Sequence, residues 1–91
     1  MAQASGTHKY VGDVTVDPAS TDDGNAAEVV VSLPGHGIKV GDIVHANKDT
    51  DDNTYLVASW VSAKDQLTFA FFNPSGGTVN AASQTIRVIV F

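Results

Sequence analysis

The side chains best suited to binding a metal are three histidines and two clusters of short acidic and amide residues. The histidines, His8, His36 and His45, are far apart in the sequence and lack the short spacing of metal-binding motifs. Only the fold can bring them into one site. We therefore interpret them as a surface, a turn and a strand histidine.

Residues 49–53, Asp-Thr-Asp-Asp-Asn, approximate the alternating oxygen ligands of a calcium-binding loop. The sixth position of such a loop is glycine and the twelfth is a bidentate glutamate, but Thr54 and Trp60 stand there. Residues 22–25, Asp-Asp-Gly-Asn, are an equally incomplete match. Because short polar side chains also accept hydrogen bonds from turn backbones, we interpret both clusters as polar turns.

The sequence does not support the chemistry of the common hydrolases. It contains no cysteine and no Gly-x-Ser-x-Gly motif. Neither Gly35-His36-Gly37 nor Gly76-Gly77 is followed by the Lys-Ser/Thr pair of a phosphate-binding loop. Two carboxylates can still pair as in a glycosidase, although a domain this small seldom offers the cleft. The sequence therefore predicts a protein that is not an enzyme and binds no cofactor.

The composition of the chain excludes some classes of partner. Its 91 residues make one domain, and 10 acidic residues against 5 basic ones give a net charge of −5. The basic side chains are scattered, so a phosphate backbone is an unsuitable partner. No apolar segment resembles a secretory signal or approaches the roughly 20 residues of a membrane helix. We expect a soluble intracellular product with neither a nucleic-acid nor a membrane partner.

The elements that must position these side chains are β-strands. Valine, isoleucine, threonine and aromatic residues alternate with polar ones, and no long window has helical spacing. Six segments fit this pattern: 8–16, 26–33, 38–46, 55–63, 66–72 and 84–91. Gly12, inside the first segment, is consistent with a bulge.

This spacing predicts an all-β fold, an antiparallel β-sandwich of jelly-roll or Ig-like type with about six to eight short strands. The sandwich domain is expected over residues 11–91. It follows a flexible N-terminal arm, residues 1–10, in which small and polar side chains predominate.

The last predicted strand carries apolar residues on both of its faces. If alternate residues from Ile86 to Val90 face the core, Ile89 and Phe91 lie on the outer face. Phe72 and Tyr55 are likewise out of phase with the inward residues of their strands. Twisted, partly buried strand ends can account for these groups, and so can a subunit interface; the two explanations are compatible. We predict self-association through Ile89, Phe91 and Phe72.

Trp60 has two interpretations. In a regular strand it shares a face with Leu56 and Ala58, which places its indole in the core. Alternatively, Trp60 and Tyr55 form a platform for a sugar, because aromatic faces suit pyranose rings. We expect the core position.

Residues 57–88 resemble a domain that is common in the virion proteins of tailed bacteriophages. The likeness rests on the hairpin VSAKDQLT (61–68), the turn FFNPSGG (71–77) and the final TIRV (85–88). Upstream, GIKVGDIV (37–44) is similar to the strand that usually precedes this hairpin, so the likeness extends over about 33–91. Trp60 and the Phe71-Phe72 pair are bulkier than the residues usual at these places.

This resemblance implies a structural role on the exterior of a capsid. Such a protein is a head decoration (cement) protein or a head-fibre base, synthesised in the host cytoplasm. Its partners are the major capsid protein and further copies of itself, often as a homotrimer. We expect His8, Lys9 and Tyr10 of the arm to order on the capsid, since flexible polar termini commonly fold on contact. The alternative is a tail or fibre module that binds a host receptor or glycan through Trp60, Tyr55 and the acidic loops.

Overall fold

The structure, a computed structural model, describes residues 8–18, 24–48, 54–74, 77–78 and 83–91. The strands in these ranges are β1 (Tyr10–Val16), β2 (Ala26–Ser32), β3 (Val44–Lys48), β4 (Tyr55–Ala63), β5 (Gln66–Phe72) and β6 (Gln84–Val90). Within the same ranges, no helix is long and apolar enough to cross a membrane. Five of the strands match their predicted segments to within two residues at each end.

The six strands form two antiparallel three-stranded sheets that pack as a β-sandwich. In one sheet, called the β6 sheet, β6 lies between β1 and β3. In the other, called the β5 sheet, β5 lies between β2 and β4. Contacts between the sheets join β3 to β4 and β1 to β2, so the edges of one sheet lie near the edges of the other. The predicted all-β antiparallel sandwich is confirmed.

The core lies between the two central strands, because their alternate side chains point into the sandwich. The central strands supply the most buried side chains: Leu67, Phe69 and Phe71 from β5, and Ile86, Val88 and Val90 from β6. The rest of the apolar cluster comes from the edge strands and from Ile38, which is 1% exposed. Each sheet therefore has one face in the core and one outer face.

The strand predicted to begin at residue 38 begins instead at Val44. Gly37 and Gly41 have φ angles of 71° and 99°, which an extended strand does not contain. The chain therefore turns on both sides of Ile38 and lowers this side chain into the core. The segment also meets the β4–β5 turn, where the Asp65 N–H donates to the Ile38 carbonyl at 3.0 Å.

β4 is an edge strand with two irregularities. Its pairing with β5 shifts between Leu56 and Ala58 and again between Val61 and Ala63. At the first shift, Val57 is an extra residue in a β-bulge, so the residues after it change face. Leu56 pairs with the inward Phe71, whereas Ala58 pairs with the outward Ala70.

Gly12 does not mark a bulge, contrary to expectation. The pairing of β1 with β6 runs without interruption from Tyr10 opposite Val90 to Val16 opposite Gln84. Instead, the Tyr10 ring lies along the strand over Gly12, and a Cβ added there would meet the Tyr10 Oη at 2.9 Å. Glycine leaves room for an aromatic ring that covers the bare backbone.

Candidate functional site

The structure does not bring the three histidines together. The His36 ring lies edge-on to Tyr10 with centroids 5.0 Å apart, and the His45 ring lies edge-on to Phe91 at 5.3 Å. His8 is exposed before β1. In the described ranges, no three histidine, aspartate or glutamate side chains are grouped so as to hold a metal ion.

Most of the two polar clusters, residues 22–23 and 49–53, lies outside the described ranges. Gly24 and Asn25, the end of the first cluster, are hydrogen-bonded to Asn73. The Gly24 N–H donates to the Asn73 carbonyl at 2.8 Å, and the Asn73 N–H donates to the Asn25 carbonyl at 3.0 Å. The buried Asn73 side chain donates in turn to the Gly77 carbonyl at 2.7 Å. These two residues therefore connect β2 to the end of β5, as turn residues do.

The predicted capsid-contacting residues lie where the chain enters the sandwich. Tyr10 is the first residue of β1, and the Lys9 N–H donates to the Val90 carbonyl at 2.6 Å. The Lys9 ammonium forms a salt bridge of 2.7 Å with the Asp42 carboxylate. Residues 1–7 of the predicted arm lie outside the described ranges. Lys9 and Tyr10 are thus held against the domain at the end of the β6 sheet.

The Asp42 carboxylate binds Lys9 at the point where the chain enters the sandwich. Its Oδ2 accepts hydrogen bonds from the Lys9 ammonium at 2.7 Å and from the Lys39 N–H at 2.9 Å. The hydrogen bond from Lys9, followed by that from the Lys39 backbone, lowers the pKa of Asp42 below its ordinary 3.8. The folded state therefore favours the charged carboxylate, and the site is a structural anchor.

Apolar side chains collect at the same end of the β6 sheet. Ile89 on β6 is half-buried and pairs with the exposed Val11 on β1. Phe91 is 40% exposed, and its N–H donates at 2.9 Å to the carbonyl of Ile43, itself 61% exposed. We call Val11, Ile43, Ile89 and Phe91 the Phe91 patch. The structure confirms the outer-face position of Ile89 and Phe91, and it brings this pair near the base of the arm.

The outer surface of the β6 sheet is polar beyond this patch. Asp13, Arg87 and Asn47 form one cross-strand row, in which the Arg87 Nε lies 3.9 Å from the Asp13 carboxylate. An open groove of about 410 Å³ runs between this row and the patch. Its lining combines Val11 and Ile89 with the Asp13 carboxylate, the imidazole and amide of the edge strand β3, and the guanidinium of the central strand β6. The groove suits a segment that is apolar in part and hydrogen-bonded in part.

The outer surface of the β5 sheet has a different character, and we call it the β5 face. It consists of four cross-strand rows, of which the last is mainly polar: Ala26–Phe72–Tyr55, Glu28–Ala70–Ala58, Val30–Thr68–Trp60 and Ser32–Gln66–Ala63. Glu28 is its only charged member. Val30 is 57% and Tyr55 61% exposed, whereas the central Thr68 is 3% exposed because bulky neighbours flank it. The solvated face of a sheet ordinarily carries polar residues, so the first three rows of this face are unusually apolar.

The expected core position of Trp60 is wrong. Trp60 pairs with the outward Thr68 and is 38% exposed. The bulge at Val57 removes Trp60 from the phase of Leu56. Tyr55 and Trp60 therefore share the β5 face.

The predicted self-association residues do not form one surface. Phe72 lies on the β5 face, while Ile89 and Phe91 lie at the opposite outer surface of the sandwich. Strand phasing indicated these outer positions. Sequence reasoning did not anticipate Val11 or Ile43, because single exposed apolar residues give no signal until the fold groups them.

Comparisons with known proteins add no relative. No protein-family model matches the chain, and no curated protein or solved structure is significantly similar to it.

Proposed function

We propose that this chain is a non-enzymatic virion protein that decorates and stabilises the surface of a bacteriophage capsid, as a cement protein or the base of a head fibre. The observation that carries the proposal is the apolar Phe91 patch beside the base of the arm. Exposed Val11 and Ile43 join Ile89 and Phe91 there. Contiguous exposed apolar groups are typical of interaction surfaces. The motif resemblance over residues 57–88 supplies the capsid as partner.

The physical basis of this function is bridging. A cement protein buries apolar area across the boundary between two capsid subunits, which raises the free energy needed to separate them. The sandwich suits this role because its core holds both outer surfaces in fixed positions. We place the capsid contact at the Phe91 patch and the adjacent groove. Lys9, at the base of the arm, is hydrogen-bonded to the Val90 carbonyl at this end of the sheet.

Co-sedimentation with empty heads of the encoding phage tests this proposal. Wild-type chain is expected to sediment with heads at a fixed stoichiometry. Val11→Glu introduces a charge into the Phe91 patch at a position that is 56% exposed, so it is expected to weaken binding without unfolding the domain. A truncated chain that starts at Lys9 isolates the contribution of the arm. Failure of wild-type chain to bind heads would contradict the function, and equal binding by the truncated chain would refute the role of the arm.

A second candidate function is a tail or fibre module that binds a glycan. The observation that favours it is the exposure of Trp60 and Tyr55 on one face. A glycan array separates the two candidates. Binding that is lost in Trp60→Ala, while the circular dichroism spectrum is retained, supports the glycan module. Absence of binding on the array removes it.

A further inference from the structure

We propose that the open edge of β2 binds an extended peptide segment of a partner protein, which adds to the β5 sheet as a fourth strand and carries a basic residue beside Glu28. This inference goes beyond the proposed function and does not require it. It concerns neither the Phe91 patch nor the adjacent groove. It identifies the partner by chemistry alone: an extended backbone with lysine or arginine among small and apolar side chains.

The hydrogen bonds at the two ends of β2 indicate which of its backbone groups face the open edge. The Leu33 N–H donates to the Asp65 carbonyl at 2.8 Å, and the Asn73 N–H donates to the Asn25 carbonyl at 3.0 Å. Both contacts are on the β5 side. The N–H and C=O of one strand residue point to the same neighbour, and those of the next residue point to the opposite side. Odd-numbered residues therefore bond to β5, and the groups that face the open edge belong to Ala26, Glu28, Val30 and Ser32.

These four residues form a row of backbone groups along the outside of the sheet. In the ranges that the structure describes, β2 is the outermost strand on its side of the β5 sheet, and no further strand pairs with it. All four residues are exposed, Val30 to 57%. A row of unpaired N–H and C=O groups is the template on which an extended peptide adds as a new strand. The row therefore specifies the backbone conformation of the partner.

The other edge strands are less able to accept a new strand. The pairing of β4 shifts after Leu56 and after Val61, and such bulges interrupt pairing along an edge. β3 has only five residues and ends on Lys48. β1 contains Gly12, and a glycine inside a strand weakens it. By contrast, β2 keeps one register with β5 over seven residues and contains no proline, glycine or lysine.

Glu28 determines the charge of the partner. In the part of the chain that the structure describes, its exposed carboxylate takes part in neither a salt bridge nor a hydrogen bond. Its outward neighbours, Ala26 and Val30 on β2 and Ala70 on β5, carry no charge. A residue directly opposite on an added strand has its Cβ about 4.5–5.5 Å away, and opposite charges at such a position stabilise the pair. The net charge of −5 also attracts a basic segment.

A second copy of β2 is a less suitable occupant of this edge. In the antiparallel register that pairs all seven residues, Glu28 lies opposite Val30 of the other copy. The two Glu28 side chains then lie diagonally on one face, about 7–8 Å apart and within the Debye length of about 8 Å, so they repel each other. A register shifted by two residues pairs only five of the seven. A basic segment from another protein avoids both penalties.

Amide hydrogen exchange of the full-length chain, followed by NMR, tests the inference. The probe is the end-blocked peptide Thr-Val-Thr-Val-Lys-Val-Thr, whose lysine lies opposite Glu28 when the peptide pairs antiparallel with β2. The matched control peptide has glutamate in place of this lysine. In the free chain, the N–H groups of Val29 and Val31 should exchange slowly and those of Glu28 and Val30 rapidly. About 1 mM lysine peptide should slow Glu28 and Val30 by about tenfold, as for a dissociation constant of about 0.1 mM, and the glutamate peptide by less than about twofold.

Three variants separate the backbone of the edge from its side chains. Val30→Pro removes one donor from the open edge, where an edge strand tolerates proline, and should abolish the slowing of Glu28. Val30→Thr keeps the N–H and a branched side chain, so it should bind the lysine peptide as the wild type does. Glu28→Gln should bind the two peptides equally. Circular dichroism and melting temperature verify that all three variants are folded.

The inference is overturned if the lysine peptide leaves exchange unchanged at this concentration, or if the wild type binds both peptides equally. A preference for lysine that persists in Glu28→Gln also overturns it. Binding that survives in folded Val30→Pro places the peptide elsewhere, with the same consequence. Protection of Glu28 and Val30 that rises with chain concentration in the absence of peptide assigns the edge to a second copy instead.

Discussion

Deletion of Val57 tests the bulge that turns Trp60 outward. If Val57 is the extra residue of β4, its removal leaves Leu56 facing inward and Trp60 facing outward, with regular pairing from Tyr55 to Val61. Val57 is 58% exposed, and full burial of a valine is worth about 1.5–3 kcal/mol, so the deletion should cost about 1 kcal/mol. The domain as a whole is expected to be stable by roughly 5–14 kcal/mol. The deletion variant should therefore fold.

Deletion of Ala70 is the matched control. Ala70 lies in β5, whose pairing with β2 is uninterrupted, between Phe69 and Phe71. Removing it forces one of these phenylalanines, 0% and 1% exposed, out of the core at a cost of about 3–5 kcal/mol. Urea unfolding at neutral pH measures both variants. Equal losses of unfolding free energy, or a blue-shifted Trp60 emission in the Val57 deletion, would refute the bulge and the outward position of Trp60.

Three further predictions concern anchors of the fold. Because the pKa of Asp42 is lowered in the folded state, its charge stabilises above pH 3.8, and this contribution disappears as the pH falls through the folded pKa. Asp42→Asn should therefore lower the melting temperature at pH 7 but not at strongly acidic pH. The control is Asp13→Asn, because the Asp13 carboxylate lies 3.9 Å from the Arg87 Nε. An equal loss of melting temperature in this control would contradict the role of Asp42. Gly12→Ala should lower the free energy of unfolding by about 1 kcal/mol in the wild type, because the added Cβ meets the Tyr10 ring. In a Tyr10→Ala background the same substitution should raise it by about 0.5–1 kcal/mol. A change of the same sign in both backgrounds would contradict this explanation. Phe69→Ala should cost about 3–5 kcal/mol by urea unfolding, and a loss below 1 kcal/mol would show that Phe69 is not in the core.

The sequence predicts most of the fold because large apolar residues recur at every second position of β5 from Leu67 and of β6 from Ile86. Leu67, Phe69 and Phe71 share one parity, and only one face of their sheet can be dry. The outer positions of Ile89 and Phe91 follow by the same rule, and the structure agrees. Turn residues such as Asp65, with a φ of 60°, delimit the hairpin.

Three features depend on tertiary contacts that the sequence does not display. The bulge at Val57 is invisible in β4, so Trp60 is placed on the wrong face when alternation is simply continued. The predicted start of β3 is wrong because Ile38 is not a strand residue. Its apolar side chain is buried in the core from the segment that precedes β3. The salt bridge between Lys9 and Asp42 joins residues 33 positions apart, a pairing that only the fold creates.

The sequence also predicts exposed apolar groups but not their grouping. Phasing indicates that Phe72 and Ile89 point outward, yet it cannot tell that they lie on opposite surfaces of the sandwich. Two separate surfaces allow two separate contacts. The Phe91 patch is the one that we assign to the capsid.

The thermal disruption of empty phage heads, measured by calorimetry with and without saturating chain, tests the proposed function most directly. Because a cement protein binds the assembled shell and not its separated subunits, it must raise the disruption temperature in a concentration-dependent way. We expect such a rise with wild-type chain and a smaller one with Val11→Glu. A disruption temperature that does not change at any chain concentration would contradict the proposal that this protein stabilises a capsid.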